Sequence, residues 1–261
     1  MKKLVLIGLM LVGLVSSVFG DTLEYSVPPG YQIVESHNYG KFAVFKKDNI
    51  YVTVVKIKDY DINFGLVHKA SSSNSFYKHY MNTWWNDYSN TKTLSMFNGQ
   101  FFNVTTFSKT PLSFPLRSNW NTIVTQKDPG NLRTLKIYNN NIEAQILYDY
   151  NSDYLKNSKE LIVGLNPNVD KGKNIKTGRF YIGGLHTNSS TLKYLLFFIG
   201  VSNTQYNMEN ELYNWNILEQ DIVMMDGSGS AQMRFGNLKV YGDGIPTYRR
   251  LPNIIRISKK Y

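Results

Sequence analysis

Along residues 40–58, GKFAVFKKDNIYVTVVKIK, apolar and polar positions alternate on either side of Lys46, Lys47, Asp48 and Asn49. Period-two alternation rich in β-branched and aromatic residues predicts a strand, a tight turn and a second strand. The same texture returns at TKTLSMFNGQFFNVTTF, at NTIVTQ, and at LRTLKIYNNNIEAQILY, where Asn139, Asn140 and Asn141 signal a turn. RFYIGGL and KYLLFFIGV, from Arg179 and Lys193, read as a strand pair joined by a polar turn over 186–190.

Two segments follow a helical period instead. Over 71–88 the positions of Phe76, Tyr77, Tyr80, Met81, Trp84 and Trp85 suit a helix, with Ser71, Ser72 and Ser73 as N-cap candidates. Over 205–218, Met208, Leu212 and Trp215 fall on one helical face. That helix feeds into DIVMMDGSGS, read as a buried strand that opens onto a loop of very small residues. Residues 151–177 are polar and turn-rich apart from LIVGL, so any lid or insertion belongs there. The elements together predict a single mixed α+β domain over 21–261, with a strand-rich core and a few packed helices.

Composition changes the picture at the N-terminus. Residues 1–20 combine Lys2 and Lys3, an apolar run over 4–15, and the small residues Val18 and Gly20 at the minus-three and minus-one positions. This is the layout of a signal peptide, with a run too short for a permanent membrane span. A secreted or periplasmic chain starting near Asp21 is expected. The chain has no cysteine, which removes disulfide staples and a lipid-modified cysteine from consideration. Formal charge is +10, with 27 basic against 19 acidic residues once Lys2 and Lys3 are set aside. The excess is spread thinly, without a long basic block. An exported chain of this kind meets phosphate-bearing glycans before nucleic acid, so nucleic acid is not expected as a partner.

The small-residue stretch fails the familiar loop templates. A dinucleotide fingerprint would need a third glycine where Gln232 stands. A P-loop would need one at Pro167, and an EF-hand counted from Asp226 meets Ala231 and Asn237 at its Gly and Glu positions. The four histidines, His37, His68, His79 and His186, have no metal-ligand spacing and read as surface or locally hydrogen-bonded imidazoles; no metal and no cofactor is called for. What remains is carboxylate, arginine and backbone amide. Asp226 ends the apolar run Ile222 to Met225, and the residues after it can turn the backbone so that N–H groups converge on an anion. Arg179 and Arg250 offer forked charge-assisted bonds of the kind phosphate takes. An Asx-turn or strand-end cap is the alternative for Asp226.

At this point the residues resemble a known group. Asp226-Gly227-Ser228-Gly229-Ser230-Ala231 is similar to the LDGGGSS signature of the phosphodiester glycosidase family. MFNGQFF from Met96 resembles that family's INGGFF segment, GRFYIGG from Gly178 its R-T-A-I-G segment, and RRLPNIIRI from Arg249 its closing strand, all in the family's order over about residues 40–257. Ser228, Ala231 and Phe180 depart from the pattern, and an Asn-x-Pro-Ser stretch is missing. The resemblance implies an exported hydrolase that cleaves the sugar-phosphate bond of a glycosyl phosphodiester. It implies Asp226 and Arg179 as the catalytic pair, with Asn98, Gly99, Gly227, Ser228, Gly229, Ser230 and Arg250 binding a phosphorylated glycan. Phe101, Phe102, Trp84 and Trp85 read as packing. The alternative is a family member without turnover that binds anionic glycan or assists exopolysaccharide assembly.

Overall fold

The computed structural model describes residues 24–38, 40–70, 74–103, 107–125, 127–138, 143–186, 191–243 and 249–260. The signal peptide, the serines 71–73, and the turns expected at 139–141 and 187–190 lie outside these.

In chain order, β1 (Gln32–Ser36), β2 (Phe42–Lys47) and β3 (Ile50–Lys56) form a meander, followed by β4 (Tyr60–Lys69) and β5 (Phe76–Tyr77). Helix α1 (Met81–Tyr88) leads into β6 (Thr93–Asn98), then the short β7 (Lys109–Thr110), β8 (Leu116–Ser118) and β9 (Asn121–Val124). The hairpin β10 (Leu132–Tyr138) and β11 (Glu143–Tyr148) precedes the single turn α2 (Asp153–Lys156) and β12 (Glu160–Leu165). The last part runs β13 (Thr177–Leu185), β14 (Tyr194–Asn203), α3 (Gln205–Asn214), β15 (Ile222–Met224), β16 (Gln232–Phe235), β17 (Leu238–Tyr241) and β18 (Asn253–Lys259).

These strands make two antiparallel sheets. The larger has the order β1-β2-β3-β14-β13-β15-β12-β10-β11, with β8 and β9 attached through β12; the smaller runs β17-β16-β6-β18-β4-β5-β7. Strand accounts for 49% of the described residues and helix for 14%, so the expected α+β class is corrected to a predominantly β one. The helix read over 71–88 is largely responsible. Within it Phe76–Tyr77 pairs instead as β5 between β4 and β7, and among its described residues only Met81–Tyr88 is helical. Large apolar pairs that recur every four residues fit a helix and do not exclude a short strand, and pairing with β4 and β7 decides between them.

Alternation along the central strands divides the core into two layers. Phe180 and Ile182 of β13, with Leu195, Phe197 and Ile199 of β14, face the smaller sheet. There Phe97 of β6 stacks on Phe197 at 4.6 Å and on Phe180 at 6.0 Å. The intervening Tyr181, Leu196 and Phe198 face the other way, under Met208, Leu212 and Trp215 at and just beyond α3. A strand covered on both faces reads as one apolar run, which is why RFYIGGL and KYLLFFIGV show little alternation in sequence. Trp84 and Phe102 are core, as expected, whereas Phe101 is only half-buried.

Where the smaller sheet meets the loop after β6, the packing is backbone against side chain. The Gly99 N–H donates to the Asn253 carbonyl at 2.9 Å, and a Cβ on Gly99 would lie 1.5 Å from Asn253 Oδ1. That oxygen already accepts the Gln100 N–H, and Asn253 Nδ2 donates to the Phe64 carbonyl. Gly99→Ala is therefore expected to cost about 2–3 kcal/mol, since a tied-down amide cannot yield to overpacking. A loss of unfolding free energy in urea titrations below a tenth of that would show that the contact relaxes.

Candidate active site

Asp226 follows β15 by two residues, and the chain from it to Gln232 crosses from the larger sheet to β16 in the smaller one. One side chain pins both ends of this crossing. Asn98 Nδ2 donates to the Asp226 carbonyl at 2.8 Å, and Asn98 Oδ1 accepts the Gln232 N–H at 3.0 Å. Between these pins the chain makes a short 3-10 turn, Ser228–Ser230, in which Ser228 takes φ +55°. A serine in the left-handed region costs about 1–2 kcal/mol relative to glycine and persists only when its surroundings dictate it. Here the surroundings are backbone. A bulge between Thr177 and Arg179 brings Gly178 against the turn so closely that a Cβ on Gly178 would lie 2.1 Å from the Ser228 carbonyl oxygen.

A cavity of about 190 Å³ opens beside this turn, lined by Asp226, Gly227 and Ser228 together with Phe101, Lys171 and Arg179. Asp226 is the only acid in its wall among the described residues. Burial pushes the Asp226 carboxyl up to about 7, against the pull of the Ser230 hydroxyl, Arg249, the Gly227 N–H and Lys171. Its Oδ2 is buried and has no hydrogen-bond partner among the described residues. Arg249 Nη1 donates to Ser230 Oγ at 3.3 Å, so guanidinium, hydroxyl and carboxyl form a short chain of contacts.

The residues expected to act together fare differently. Arg179 lines the cavity with Asp226, yet its guanidinium is engaged by the carbonyls of Lys171 (3.0 Å), Gly172 (2.7 Å), Ile175 (2.9 Å) and, more loosely, Asn203 (3.4 Å). It holds the 171–175 loop rather than presenting its fork to the cavity. Asn98 is 1% exposed with its amide committed to the backbone, and Gly99 packs on Asn253, so both position the site from behind. Gly229 and Ser230 belong to the turn but do not line the cavity, and the Ser230 N–H donates to the Gly227 carbonyl instead of converging on an anion. Arg250 is exposed and stacks over Tyr80 at 5.0 Å, away from the cavity wall; its neighbour Arg249 is the arginine on the Asp226 side. Adjacent residues before a strand point to opposite sides, and the doublet RR does not reveal which faces inward.

Lys171, Arg249 and the half-buried Phe101 are the participants that sequence reasoning missed. Lys171 lies in the polar stretch noted as a lid candidate, the one hint available for it. The histidines are locally bonded as read: His37 to Tyr60, His186 to Asp221, and His68 to His79 at 2.8 Å.

No protein-family model matches the chain, and no curated protein matches it in sequence. Among solved structures it is similar to the catalytic domain of zebrafish N-acetylglucosamine-1-phosphodiester alpha-N-acetylglucosaminidase, in a form auto-inhibited by its pro-peptide. The two are 13% identical with a TM-score of 0.57, over 92% of this chain and 86% of that one. It is also similar to a protein from Burkholderia pseudomallei assigned as exported, at 9% identity and TM-score 0.57, over 83% and 74% of the two chains. A hypothetical protein from Synechocystis gives 10% identity and a TM-score of 0.50, over 88% and 62%. At such identities the likeness is one of fold. Among the described residues, no helix is long and apolar enough to cross a membrane.

Two outcomes follow from this geometry. Because the folded pKa of Asp226 lies above its ordinary value of 3.8, ionisation disfavours the folded state. Its contribution is intact below about pH 4 and is lost as pH rises through about 7. Asp226→Asn removes that loss, so its stability relative to the native chain should rise by about 2–4 kcal/mol between pH 4 and pH 8 and then level off. Parallel urea titrations that give a pH-independent difference would contradict the burial. Arg179→Lys keeps the charge but cannot reach all of the carbonyls, and should lower stability by about 2–4 kcal/mol. It should also speed tryptic cleavage after Lys171, Lys173 and Lys176; unchanged cleavage would mean that the loop holds itself.

Proposed function

We propose that this chain is a hydrolase that cleaves the sugar-phosphate bond of a glycosyl phosphodiester in an envelope or extracellular glycan, exported through its first twenty residues. The observation that carries the reading is Asp226. Asp226 is half-buried, its carboxyl is pushed up to about 7, and its buried Oδ2 has no hydrogen-bond partner among the described residues; among those residues it is also the only acid lining a cavity whose other charges are cationic. A strongly perturbed carboxyl in a cleft is a candidate for proton transfer at physiological pH. The fold shared with the zebrafish diester glycosidase adds support.

At about 190 Å³ the cavity is smaller than the roughly 300–1,000 Å³ of drug-sized sites and suits one sugar ring rather than an oligosaccharide. In this reading water attacks the anomeric carbon as the carbon–oxygen bond to phosphate breaks. The phosphomonoester departs with the bonding electrons and needs no strong acid. Ionised Asp226 takes the proton from the attacking water and stabilises the oxocarbenium-like charge. The anion-binding role expected of Arg179 passes to Lys171, with Arg249 acting through Ser230, and Arg179 becomes a positioning residue. Phe101 supplies an apolar edge for the sugar.

A second reading, a glycan-binding protein without turnover, is favoured by the engagement of the Arg179 and Asn98 side chains with backbone. Incubation of residues 21–261 with alkyl phosphodiesters of several sugar 1-phosphates, followed by NMR, separates the two. The hydrolase releases free sugar and alkyl phosphate, with kcat/KM rising through a pKa near 7. Asp226→Asn should lower kcat by about 10²–10⁴-fold and Arg249→Ala by about 10-fold or more. Binding without release from any sugar, or release that survives Asp226→Asn, would overturn the hydrolase.

A further inference from the structure

Two cations line the Asp226 cavity, and the guanidinium of one, Arg179, is engaged by backbone carbonyls. The other, Lys171, makes no side-chain hydrogen bond or ion pair among the described residues, and its charge acts on Asp226. A second cavity, of about 500 Å³ at the start of α1, shares no lining residue with this one. An anion in the Asp226 cavity is therefore met by that cavity's own wall, where Lys171 is the available cation. What fixes Lys171 then decides what the wall can recognise.

Lys171 lies in a loop, residues 166–176, that contains neither helix nor strand. Gln205, the first residue of α3 and 0% exposed, holds this loop from beneath. Its Oε1 accepts the Lys171 N–H at 3.1 Å, and its Nε2 donates to the carbonyls of Pro167 at 2.9 Å and Val169 at 3.0 Å. From β13, Arg179 Nη1 donates to the Lys171 carbonyl at 3.0 Å. Both backbone groups of Lys171 are thus bonded by buried side chains. Asp170 Oδ1 accepts the Gly172 and Lys173 N–H groups, at 2.7 and 3.0 Å, and Gly172 takes φ +75° in the turn that follows.

The bonding pattern specifies a carboxamide at 205. One N–H must be accepted and two carbonyls must be given donors; a carboxylate has no donor and an ammonium no acceptor. Glu209 Oε1 lies 2.9 Å from the same Nε2, so a carboxylate at 205 would face a second one. We propose that Gln205 is a positioning residue for phosphate recognition in the Asp226 cavity: it holds the backbone of Lys171 so that the ammonium is presented from one fixed point of the wall. The 166–176 loop is then a fixed jaw and not a lid. A lysine carries a point charge on a flexible stem, so the place where the stem begins limits the anions it can reach. A misplacement of about 1 Å can cost about 100-fold at a reacting group. This rests on the reading of the cavity as a phosphodiester site and adds the residue that makes Lys171 its anion contact.

The test measures binding on the Asp226→Asn chain, so turnover does not enter it, with inorganic phosphate and neutral methyl glucoside as probes followed by NMR. Lys171→Met should weaken phosphate about 10-fold. Gln205→Asn keeps the carboxamide but falls short of the loop, and should weaken phosphate about 3- to 10-fold alone and no further when added to Lys171→Met. Gln205→Met, similar in length but without the bonds, should reproduce that loss, and methyl glucoside should change by less than about 2-fold in every variant. In the chain without substitution the Lys171 N–H should exchange with deuterium about 100-fold or more slowly than an open loop amide. The proposal is overturned by phosphate affinity indifferent to position 205, by a further loss on top of Lys171→Met, by an equal loss for the glucoside, or by open-loop exchange at Lys171. Phosphate binding coupled in this way in a chain that hydrolyses no diester would keep the role of Gln205 and remove only the hydrolase. Diester turnover with phosphate affinity indifferent to Gln205 would remove only this proposal.

Discussion

The arrangement depends on one buried carboxamide. Asn98 ends β6 in the smaller sheet, and with its donor and its acceptor it grips the first and last residues of the crossing from Asp226 to Gln232. The two sheets share an apolar interior, but stacked phenylalanines do not fix where a loop at their margin runs. Paired, oppositely polarised bonds to backbone do, because either orphaned partner would be a buried polar group without water. The crossing is held at both ends while its middle adopts a conformation serine otherwise avoids. Local strain of this kind collects where surrounding structure over-determines it, and at this turn it lies in the wall of the Asp226 cavity.

How much of this was legible in the sequence follows from which interactions leave a side-chain signature. The β2–β3 hairpin was, because alternation and an Asp-Asn turn mark it, and Asp48 takes φ +51° there. The face of α3 was, because Met208, Leu212 and Trp215 can be buried together at only one period. Asp226 was, as an acid that terminates an apolar run and opens a run of small residues. Arg179 was legible as a residue and not as a role. Its partners are carbonyls of Lys171, Gly172 and Ile175, and carbonyls are common to every residue type. The choice between Arg249 and Arg250 depended on how the chain enters β18, which a proline-containing approach hides. The balance of helix and strand failed over 71–88, where the deciding contacts are backbone pairs with β4 just upstream and with β7 beyond β6.

Electrostatics sharpen the contrast between the two sides of the turn. A chain with net charge +10 places most cations singly on its surface, several on tyrosine faces. Near the turn they gather: Lys171 and Arg249 act on Asp226, and Arg249 and Arg250 on Lys78. Accumulating like charge opposes folding, and a chain tolerates it where a bound anion completes the balance. Asp226, on which Lys171 and Arg249 act, is the cavity-lining acid whose carboxyl burial pushes up to about 7.

A second carboxyl shows why that last property matters only in combination. Burial also pushes Glu160, 1% exposed on β12, up to about 7. Its oxygens, however, accept the Phe64 and Asn119 N–H groups, at 2.9 and 2.8 Å, and it borders neither cavity. Glu160 joins β4 to the β8–β9 turn as a structural acceptor with its bonding capacity engaged. Asp226 carries the same perturbation with one oxygen unpartnered and open space beside it. A perturbed pKa reports burial, and burial alone cannot separate a brace from a reactive group. The unmet hydrogen-bonding capacity beside the cavity makes that separation, and it is the reason the proposed chemistry is placed on Asp226 rather than on Glu160.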